Sequence, residues 1–277
     1  MLENEFPRKL SREKMAEVFL DTQDFYTTNP VLANAIQTSI EHTRFYDENE
    51  LPNISSESSA KGEIQVTVNR TFEAAVKLHS EFPDKKICVL NFASATNPGG
   101  GVVTGARAQE ESLCRCSTLY PTLNREELWK KYYSVNRSRY NNLYTNACIY
   151  SPNIIICKSD EAYPVRLPEN KWVTVDVITC AAPNLRHGSS CGSDSIYNLH
   201  IKRAEHIVSA AIDNQAKILV LGAFGCGAFR NDPYVVARAY KNVLDRFRTY
   251  FERIEFAIFT AGNESLNYTV FSEMFTN

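Results

Sequence analysis

From about residue 60 onward, the spacing of hydrophobic residues alternates between short apolar runs and helical periodicity. Short apolar runs such as Lys-Ile-Cys-Val-Leu-Asn-Phe at 86–92 predict buried strands. Apolar residues at helical spacing lie between these runs and predict amphipathic helices. The predicted strands are 63–68, 86–92, 147–151, 154–158, 172–181, 217–222 and 254–260. The predicted helices are 71–82, 110–119, others through about 137, 194–214, 232–248 and a short terminal helix.

This alternation predicts the fold class. Strands that alternate with helices form a largely parallel sheet with helices on both faces, which is a three-layer α/β/α arrangement. The first 45 residues instead predict two helices, the first capped by Ser11, and a polar, serine-rich loop follows at 48–61. We therefore expect an N-terminal helical extension (1–60) packed on the main α/β domain (61–277).

Composition narrows the classes of partner. The 277 residues carry 30 Lys and Arg against 32 Asp and Glu, so neither general affinity for nucleic acid nor attraction to an anionic membrane is indicated. The chain lacks an apolar run of about 18 residues, and its first residues are acidic where a signal peptide would be basic. These features predict a soluble, cytoplasmic protein, and we expect a monomer.

Eight scattered cysteines predict reduced thiols, several of them inside apolar strand patterns. Cys114 and Cys116 are the only close pair, and no further Cys or His follows at zinc-ligand spacing. The sequence also lacks an Asp-x-Asp or His-Glu-x-x-His cluster. We therefore expect no metal and no cofactor.

The most informative segment is 97–111, Asn-Pro-Gly-Gly-Gly-Val-Val-Thr-Gly-Ala-Arg-Ala-Gln-Glu-Glu. A triple glycine lets backbone N–H groups approach an anion closely, and the segment follows a predicted strand, where open α/β sheets bind ligands. A second glycine-rich loop, 222–231, runs from a strand end to a helix that begins at Asp232 and Pro233. Each loop alone is better explained as a tight strand-to-helix turn, but together the two would form two walls of N–H donors, enough to hold a diphosphate between them.

These segments resemble bacterial-type poly(ADP-ribose) glycohydrolases, a family of macrodomain hydrolases. The first loop matches the family's Gly-Gly-Gly and Gln-Glu-Glu signature, 221–231 resembles its second phosphate loop, and 173–184 resembles the strand that crosses the middle of its sheet. The resemblance implies a macrodomain-like fold and hydrolysis of the glycosidic bond at a terminal ribose. The implied partner is ADP-ribose, poly(ADP-ribose) or an ADP-ribosylated macromolecule, with no cofactor.

The same resemblance assigns roles to single residues. It implies that Glu111 is the general acid, that Glu110 holds ribose hydroxyls, that Asn97 contacts the distal ribose and that Phe229, more than Phe224, lies at the ligand. The candidate substrate-binding residues are Asn97, Gly99, Gly100, Gly101, Val102, Gln109, Gly225, Cys226, Gly227, Ala228 and Phe229.

Two physical expectations concern the glutamates. Adjacent helical residues diverge by about 100°, so Glu110 and Glu111 are not expected to act from opposite sides of one bond. A helix start lowers a carboxyl pKa, whereas a bound diphosphate and the exclusion of water raise it. The attacking water can be activated by Glu111 or by the substrate's own diphosphate, and the sequence leaves both open.

Alternative functions remain to be separated from this one. An ADP-ribose reader would keep both loops and lose the acid, whereas a mono-ADP-ribosyl hydrolase acting on protein or nucleic acid would keep all of these residues.

The segment 188–192 matches the Gly-x-Ser-x-Gly nucleophile elbow, but a loop separates it from the preceding strand and its histidines follow too soon. The glycines at 99–105 do not form the Gly-x-Gly-x-x-Gly pattern of a dehydrogenase. Arg107 could meet a phosphate, and Cys226 is expected to be small rather than nucleophilic.

Overall fold

The computed structural model describes residues 11–52, 54, 58–139, 141–188, 191–260 and 265–276. Its seven strands, as far as the chain is described, form one mixed sheet in the order β1-β4-β5-β3-β6-β7-β2. The strands are β1 (Arg44–Tyr46), β2 (Glu63–Thr67), β3 (Ile87–Phe92), β4 (Cys148–Ile156), β5 (Val173–Cys180), β6 (Ile218–Leu221) and β7 (Arg253–Ala257). Strands β5, β3, β6, β7 and β2 are parallel, and β4 and β1 are added antiparallel at one edge. The predicted α/β class with a largely parallel mixed sheet is confirmed.

The helices alternate with the strands along most of the chain. They are α1 (Arg12–Thr28), α2 (Pro30–His42), α3 (Thr71–Glu81), α4 (Gln109–Cys116), α5 (Leu119–Leu123), α6 (Glu126–Leu128), α7 (Ser134–Ser138), α8 (Ser193–Asp213), α9 (Pro233–Phe247) and α10 (Leu266–Phe275). A π-helical turn, Trp129–Tyr133, joins α6 to α7. The predicted caps are present, because Ser11 Oγ accepts from Lys14 N and Asp232 Oδ1 accepts from Tyr234 N. None of the described helices is long and apolar enough to cross a membrane.

Apolar side chains fill both faces of the sheet. One cluster contains Phe224, Val208 and Phe256 and lies under α8 and α9, and the other contains Phe72 and Tyr133 on the opposite face. The inner strands β3 and β6 are therefore buried on both sides, which is why their sequences read as nearly continuous apolar runs. The two clusters confirm the three layers.

The edge of the sheet differs from the prediction. Residues 44 and 45, expected at the end of a helix, belong to β1, because Phe45 and Tyr46 pair antiparallel with Ile149 and Cys148 of β4. The two strands predicted at 147–151 and 154–158 are one strand with an irregularity between Ser151 and Ile154. Both differences, the extra strand β1 and the single strand β4, result from pairing with a neighbouring strand, which local periodicity does not reveal.

Helix α1 braces the back of the first glycine-rich loop. Phe19 is buried and packs edge-on against Tyr120, with ring centroids 5.0 Å apart. A Cβ atom at Gly105 would lie 1.8 Å from the backbone oxygen of Arg12, so the loop and the helix meet backbone to backbone.

Two polar contacts anchor the same helix. Thr22 Oγ1 donates to Arg115 O at the end of α4 (2.6 Å), and the buried Lys158 ammonium bonds to Val18 O (2.9 Å) and Asp21 (2.6 Å). Because α4 also carries Glu110 and Glu111, α1 directly supports the helix on which both glutamates lie. The boundary between the extension and the main domain near residue 60 stays a prediction.

Candidate active site

The five parallel strands end at one edge of the sheet, and the loops that follow them surround a cavity of about 720 Å³. This is the edge at which open α/β sheets bind ligands. The lining residues are Asn69, Arg70, Thr71, Phe92, Ser94, Asn97, Gly100, Gly101, Arg107, Ala108, Gln109, Glu110, Glu111, Ser112, Leu113, Asp160, Arg186, Ala223, Gly225, Gly227, Ala228, Phe229, Ala257, Ile258, Phe259 and Asn267. Both predicted loops therefore face the same space.

The two glutamates converge beneath the triple glycine. They occupy the first turn of α4, and a Cβ atom on Gly100 would lie 2.5 Å from Glu111 Oε1 and 3.0 Å from Glu110 Oε2. Gly101 N donates to Glu111 Oε1 at 2.9 Å. The loop thus folds back over its own helix, and carboxyl groups that start from diverging positions meet at one point of the cavity wall. Both carboxyl groups lie on the same side of the site, which agrees with the expectation that they do not act from opposite sides of one bond.

Glu110 is enclosed by hydrogen-bond donors. Only 2% of the residue is exposed, and its carboxyl group accepts from Ser94 N (2.7 Å) and from Asn91 Nδ2 (3.3 Å). Burial nevertheless raises the pKa of Glu110 to about 8, and the neighbouring Glu111 carboxylate adds to the rise. Desolvation raises the pKa of Glu110 more than the hydrogen-bond donors and the helix start lower it. The pKa is therefore high without substrate, whereas a position at a helix start predicts a lowered pKa.

The raised pKa of Glu110 predicts how the stability of the protein depends on pH. A carboxyl group with a pKa near 8 in the folded state and 4.5 when unfolded binds more protons in the folded state between these values. Its stabilising contribution is complete below pH 4.5 and is lost as the pH rises through about 8. The free energy of unfolding of Glu110→Gln should therefore rise relative to wild type with pH, by on the order of 1.4 kcal/mol per pH unit.

Urea unfolding of both proteins at pH 5, 6, 7 and 8 measures this difference directly. Glu126→Gln is the matched control, because Glu126 is exposed and pairs with Lys130 at the protein surface. A Glu110→Gln curve that runs parallel to the wild-type curve would show that Glu110 has an ordinary pKa in the folded protein.

Glu111 differs from Glu110 in its hydrogen bonds. Its Oε1 atom accepts from Gly101 N, whereas its Oε2 atom is buried with no hydrogen-bond partner among the described residues. Native structures rarely leave a buried polar atom without a hydrogen-bond partner, and a catalytic role is one reason for such an exception. This geometry is compatible with a group that gives or takes a proton.

A buried asparagine closes the second loop. Asn231 Nδ2 donates to Pro183 O (2.8 Å) and Gly225 O (3.0 Å), and its Oδ1 accepts from His200 Nε2 (2.9 Å). Burial lowers the pKa of His200 to about 4, so the ring is neutral at pH 7 and is assigned the tautomer with a proton on Nε2. The loop is thereby tied both to the segment that follows β5 and to α8.

Most of the predicted ligand residues lie on the cavity wall. Asn97, Gly100, Gly101, Gln109, Glu110, Glu111, Gly225, Gly227, Ala228 and Phe229 line it. Gly99, Val102 and Cys226 do not, and the Val102 side chain is fully buried in the hydrophobic core. Fewer residues of the first loop therefore face the cavity than the sequence pattern indicates. Gly101 is the last of them before the chain turns inward at Val102.

The surroundings of three further candidate side chains, Gln109, Phe224 and Cys226, indicate what each of them does. Gln109 Oε1 accepts from Phe92 N (2.8 Å) and its Nε2 donates to Leu90 O (2.7 Å), so its amide binds the end of β3. Phe224 is 1% exposed and packs on Phe92, which places it in the core. Burial raises the pKa of the Cys226 thiol to about 12, in keeping with a small residue rather than a nucleophile.

The loops after β2, β5 and β7 also line the cavity, and none of their lining residues is among the predicted site residues. Arg70 lies over the Phe259 ring, 3.9 Å from its centroid, and both line the cavity. Asp160 accepts from Ser112 Oγ at 2.7 Å beside them, and Arg186 lines the wall next to the second loop. The rule that ligands bind at the carboxyl ends of parallel strands, applied to every strand, would have indicated these loops.

The competing nucleophile elbow receives no support from its surroundings. Ser189 and Ser190 lie outside the described residues, and β5 ends at Cys180, well before Gly188. The sharp strand-to-helix turn that an elbow requires is therefore missing from this described part of the chain.

Comparisons with known proteins agree with this geometry. Residues 19–159 match the family model described as microbial-type PARG, catalytic domain, where PARG is poly(ADP-ribose) glycohydrolase. No match was found among curated protein sequences.

Solved structures extend the likeness over the second loop. The crystal structure of poly(ADP-ribose) glycohydrolase from Thermomonospora curvata is 29% identical, with a TM-score of 0.83, and the match covers 95% of this chain and 100% of that one. The enzyme from Deinococcus radiodurans in complex with ADP-ribose is 32% identical, with a TM-score of 0.75, and the match covers 86% of this chain and 96% of that one. The chain therefore belongs to the microbial-type poly(ADP-ribose) glycohydrolase family.

Proposed function

We propose that this chain hydrolyses the glycosidic bond at the terminal ribose of ADP-ribose polymers or ADP-ribosylated targets and releases ADP-ribose. The observation that carries the proposal is the pair of buried glutamates beneath Gly100 and Gly101, on the wall of a cavity whose other side is the second glycine-rich loop. The T. curvata relative has been solved with the inhibitor ADP-HPD and the D. radiodurans relative with ADP-ribose. These complexes support ADP-ribose as the product that the cavity holds.

The proposed binding mode follows from the loops. The diphosphate lies between the first loop, at Gly100 and Gly101, and the second loop, at Gly225, Gly227 and Ala228. Backbone N–H groups stabilise an anion without the cost of ordering long side chains. Phe229 then lies beside the ribose end of the ligand.

The proposed chemistry divides between the two glutamates. Cleavage passes through an oxocarbenium-like state, so the departing oxygen needs a proton. Glu111 supplies it, because its Oε2 atom is buried and has no hydrogen-bond partner among the described residues. Glu110 holds a ribose hydroxyl, since Ser94 and Asn91 fix its carboxyl group against rotation. Water attacks the anomeric carbon after activation by Glu111 or by the substrate's diphosphate.

The decisive test is release of free ADP-ribose from poly(ADP-ribose), with calorimetric titration of ADP-ribose in parallel. We expect both release and binding. Binding without release from any substrate would identify a reader. Release only from mono-ADP-ribosylated protein or nucleic acid would identify a mono-ADP-ribosyl hydrolase.

We also infer where the protein works and in what form. Seven cysteines are free thiols, which a reducing compartment such as the cytoplasm maintains: Cys88, Cys114, Cys116, Cys148, Cys157, Cys180 and Cys226. The cavity is lined by one chain, so a monomer has the residues that the proposed reaction needs. Residues 1–60 act as an extension of the domain at 61–277, since α1 braces the first loop.

A further inference from the structure

Arg137 forms two hydrogen bonds with the start of the first glycine-rich loop. Its Nε atom donates to Thr96 O at 2.7 Å and its Nη2 atom donates to Asn97 Oδ1. Asn97 begins the turn in which Gly100 N donates to Asn97 O at 3.0 Å, and Thr96 immediately precedes it. The planar guanidinium therefore bridges two consecutive residues where the loop begins, and lysine cannot reproduce this geometry.

Trp129 holds the guanidinium in this orientation. The Arg137 Cζ atom lies 4.6 Å from the centroid of the Trp129 ring, which in turn contacts Tyr133 at 5.4 Å. The Trp129 indole is itself fixed, because its Nε1 atom donates to Asn124 Oδ1 at 2.9 Å. A stacked guanidinium loses less rotational freedom when it binds than a solvated one does.

Trp129 begins the π-helical turn that leads into α7, which carries Arg137. Such turns are rare and are often found near functional sites. The turn and helix place an aromatic ring and an arginine, eight residues apart in sequence, against the first loop. Arg137 is thus linked to Asn97, which is 40 residues earlier in the chain.

The contacts of Asn97 show what this arrangement achieves. Its Oδ1 atom accepts from Arg137, and its Nδ2 atom donates to Thr96 Oγ1 at 3.1 Å, which leaves the second N–H of the amide for a ligand. An exposed asparagine without such a partner can turn its amide by 180°. Arg137 therefore fixes Asn97 as a donor on the cavity wall, suited to an acceptor oxygen such as that of a ribose.

We propose that Arg137, stacked on Trp129, is a positioning residue that orients Asn97 as a hydrogen-bond donor toward the distal ribose. The inference rests on the proposed function, because Asn97 is the predicted contact of that ribose. Arg137 acts through Asn97 and through the start of the glycine-rich loop, and it does not take part in proton transfer.

A double-mutant cycle tests this dependence. Arg137→Ala should lower kcat/KM for poly(ADP-ribose) on the order of tenfold. Asn97→Ala should lower it at least as much, and the double variant should lie within about twofold of Asn97→Ala alone. Additive losses in the double variant would overturn the proposal, as would wild-type activity of Arg137→Ala.

Two further variants separate positioning from general support of the fold. Millimolar guanidinium chloride, compared with sodium chloride at equal ionic strength, should restore activity to Arg137→Ala and leave Asn97→Ala unchanged. Arg139→Ala is the matched control, because Arg139 is an exposed arginine of the same segment that pairs with Glu48 and is expected to keep wild-type activity. Arg137→Lys should remain impaired, and full activity of this variant would show that charge alone suffices.

Calorimetric titration of the same variants with ADP-ribose keeps the two proposals distinguishable. The affinities should follow the same non-additive pattern, since Asn97 contacts the bound product. If wild type releases no ADP-ribose but the affinities show this pattern, the glycohydrolase proposal fails and the role of Arg137 stands. If release occurs and the affinities of Arg137→Ala and wild type agree, the role of Arg137 fails alone.

Discussion

Glu111→Gln should lose turnover of poly(ADP-ribose) by at least about 100-fold, the lower end of the contribution of general acid–base catalysis. Glutamine keeps the size of the side chain and can still accept from Gly101 N, so the loop above it is preserved. It cannot deliver a proton to the departing oxygen. The affinity for ADP-ribose should therefore stay within about tenfold of wild type, which corresponds to about 1.4 kcal/mol.

The measurement combines initial rates of ADP-ribose release with calorimetric titration of the same protein samples. Glu127→Gln serves as the control, because Glu127 lies at the surface and pairs with Lys131. Unchanged turnover in Glu111→Gln would remove Glu111 from the mechanism. Loss of both turnover and binding in a folded variant would instead make Glu111 a binding residue.

Gly100→Ala should abolish activity for a different reason. The new Cβ atom would lie 2.5 Å from Glu111 Oε1 and 3.0 Å from Glu110 Oε2, so both carboxyl groups must move. Displacement of catalytic groups by about 1 Å costs about 100-fold in rate. Gly100 also has a φ of +57°, which disfavours any residue with a Cβ atom. We expect a loss of turnover of at least about 100-fold, together with weaker binding, because the proposed diphosphate site includes the same loop.

Gly188→Ala is the matched control for Gly100→Ala. Gly188 has a φ of +83°, but a Cβ atom there would meet nothing within 4 Å. Both substitutions strain the backbone, and only Gly100→Ala pushes on the glutamates. Thermal unfolding and rates of release for both variants separate the two effects. Equal activity of the two variants would show that the cradle tolerates a side chain at Gly100.

Gly100 was expected to allow a close approach of the backbone to a diphosphate, which stays a prediction. The structure adds a close approach of the loop to the carboxyl groups of Glu110 and Glu111. Spacing along the chain cannot reveal this contact, because it depends on how sharply residues 101–108 turn before α4 begins. The same turn brings together two glutamates whose helical positions diverge.

The raised pKa of Glu110 is another property that only folding decides. A glutamate in the first turn of a helix is expected to have a lowered pKa, and Glu110 is such a residue. The opposite result follows from burial at the end of β3, beside Asn91 and Ser94, which come from the strand and the loop after it. The burial of a charged group is a tertiary property, and no local pattern encodes it.

Three features could be predicted from the sequence alone: the order of strands and helices along the chain, the caps at Ser11 and Asp232, and the two glycine-rich loops. These features depend on local periodicity and turn chemistry, which a sequence displays directly. The tertiary structure decided the sheet order, the pairing of β1 with β4, and the contribution of the loops after β2, β5 and β7 to the cavity. It also decided that Arg137 meets Asn97 and that α1 braces Gly105. These contacts join residues far apart in the chain, and the free energy that selects them comes from packing and desolvation rather than from local conformational preference.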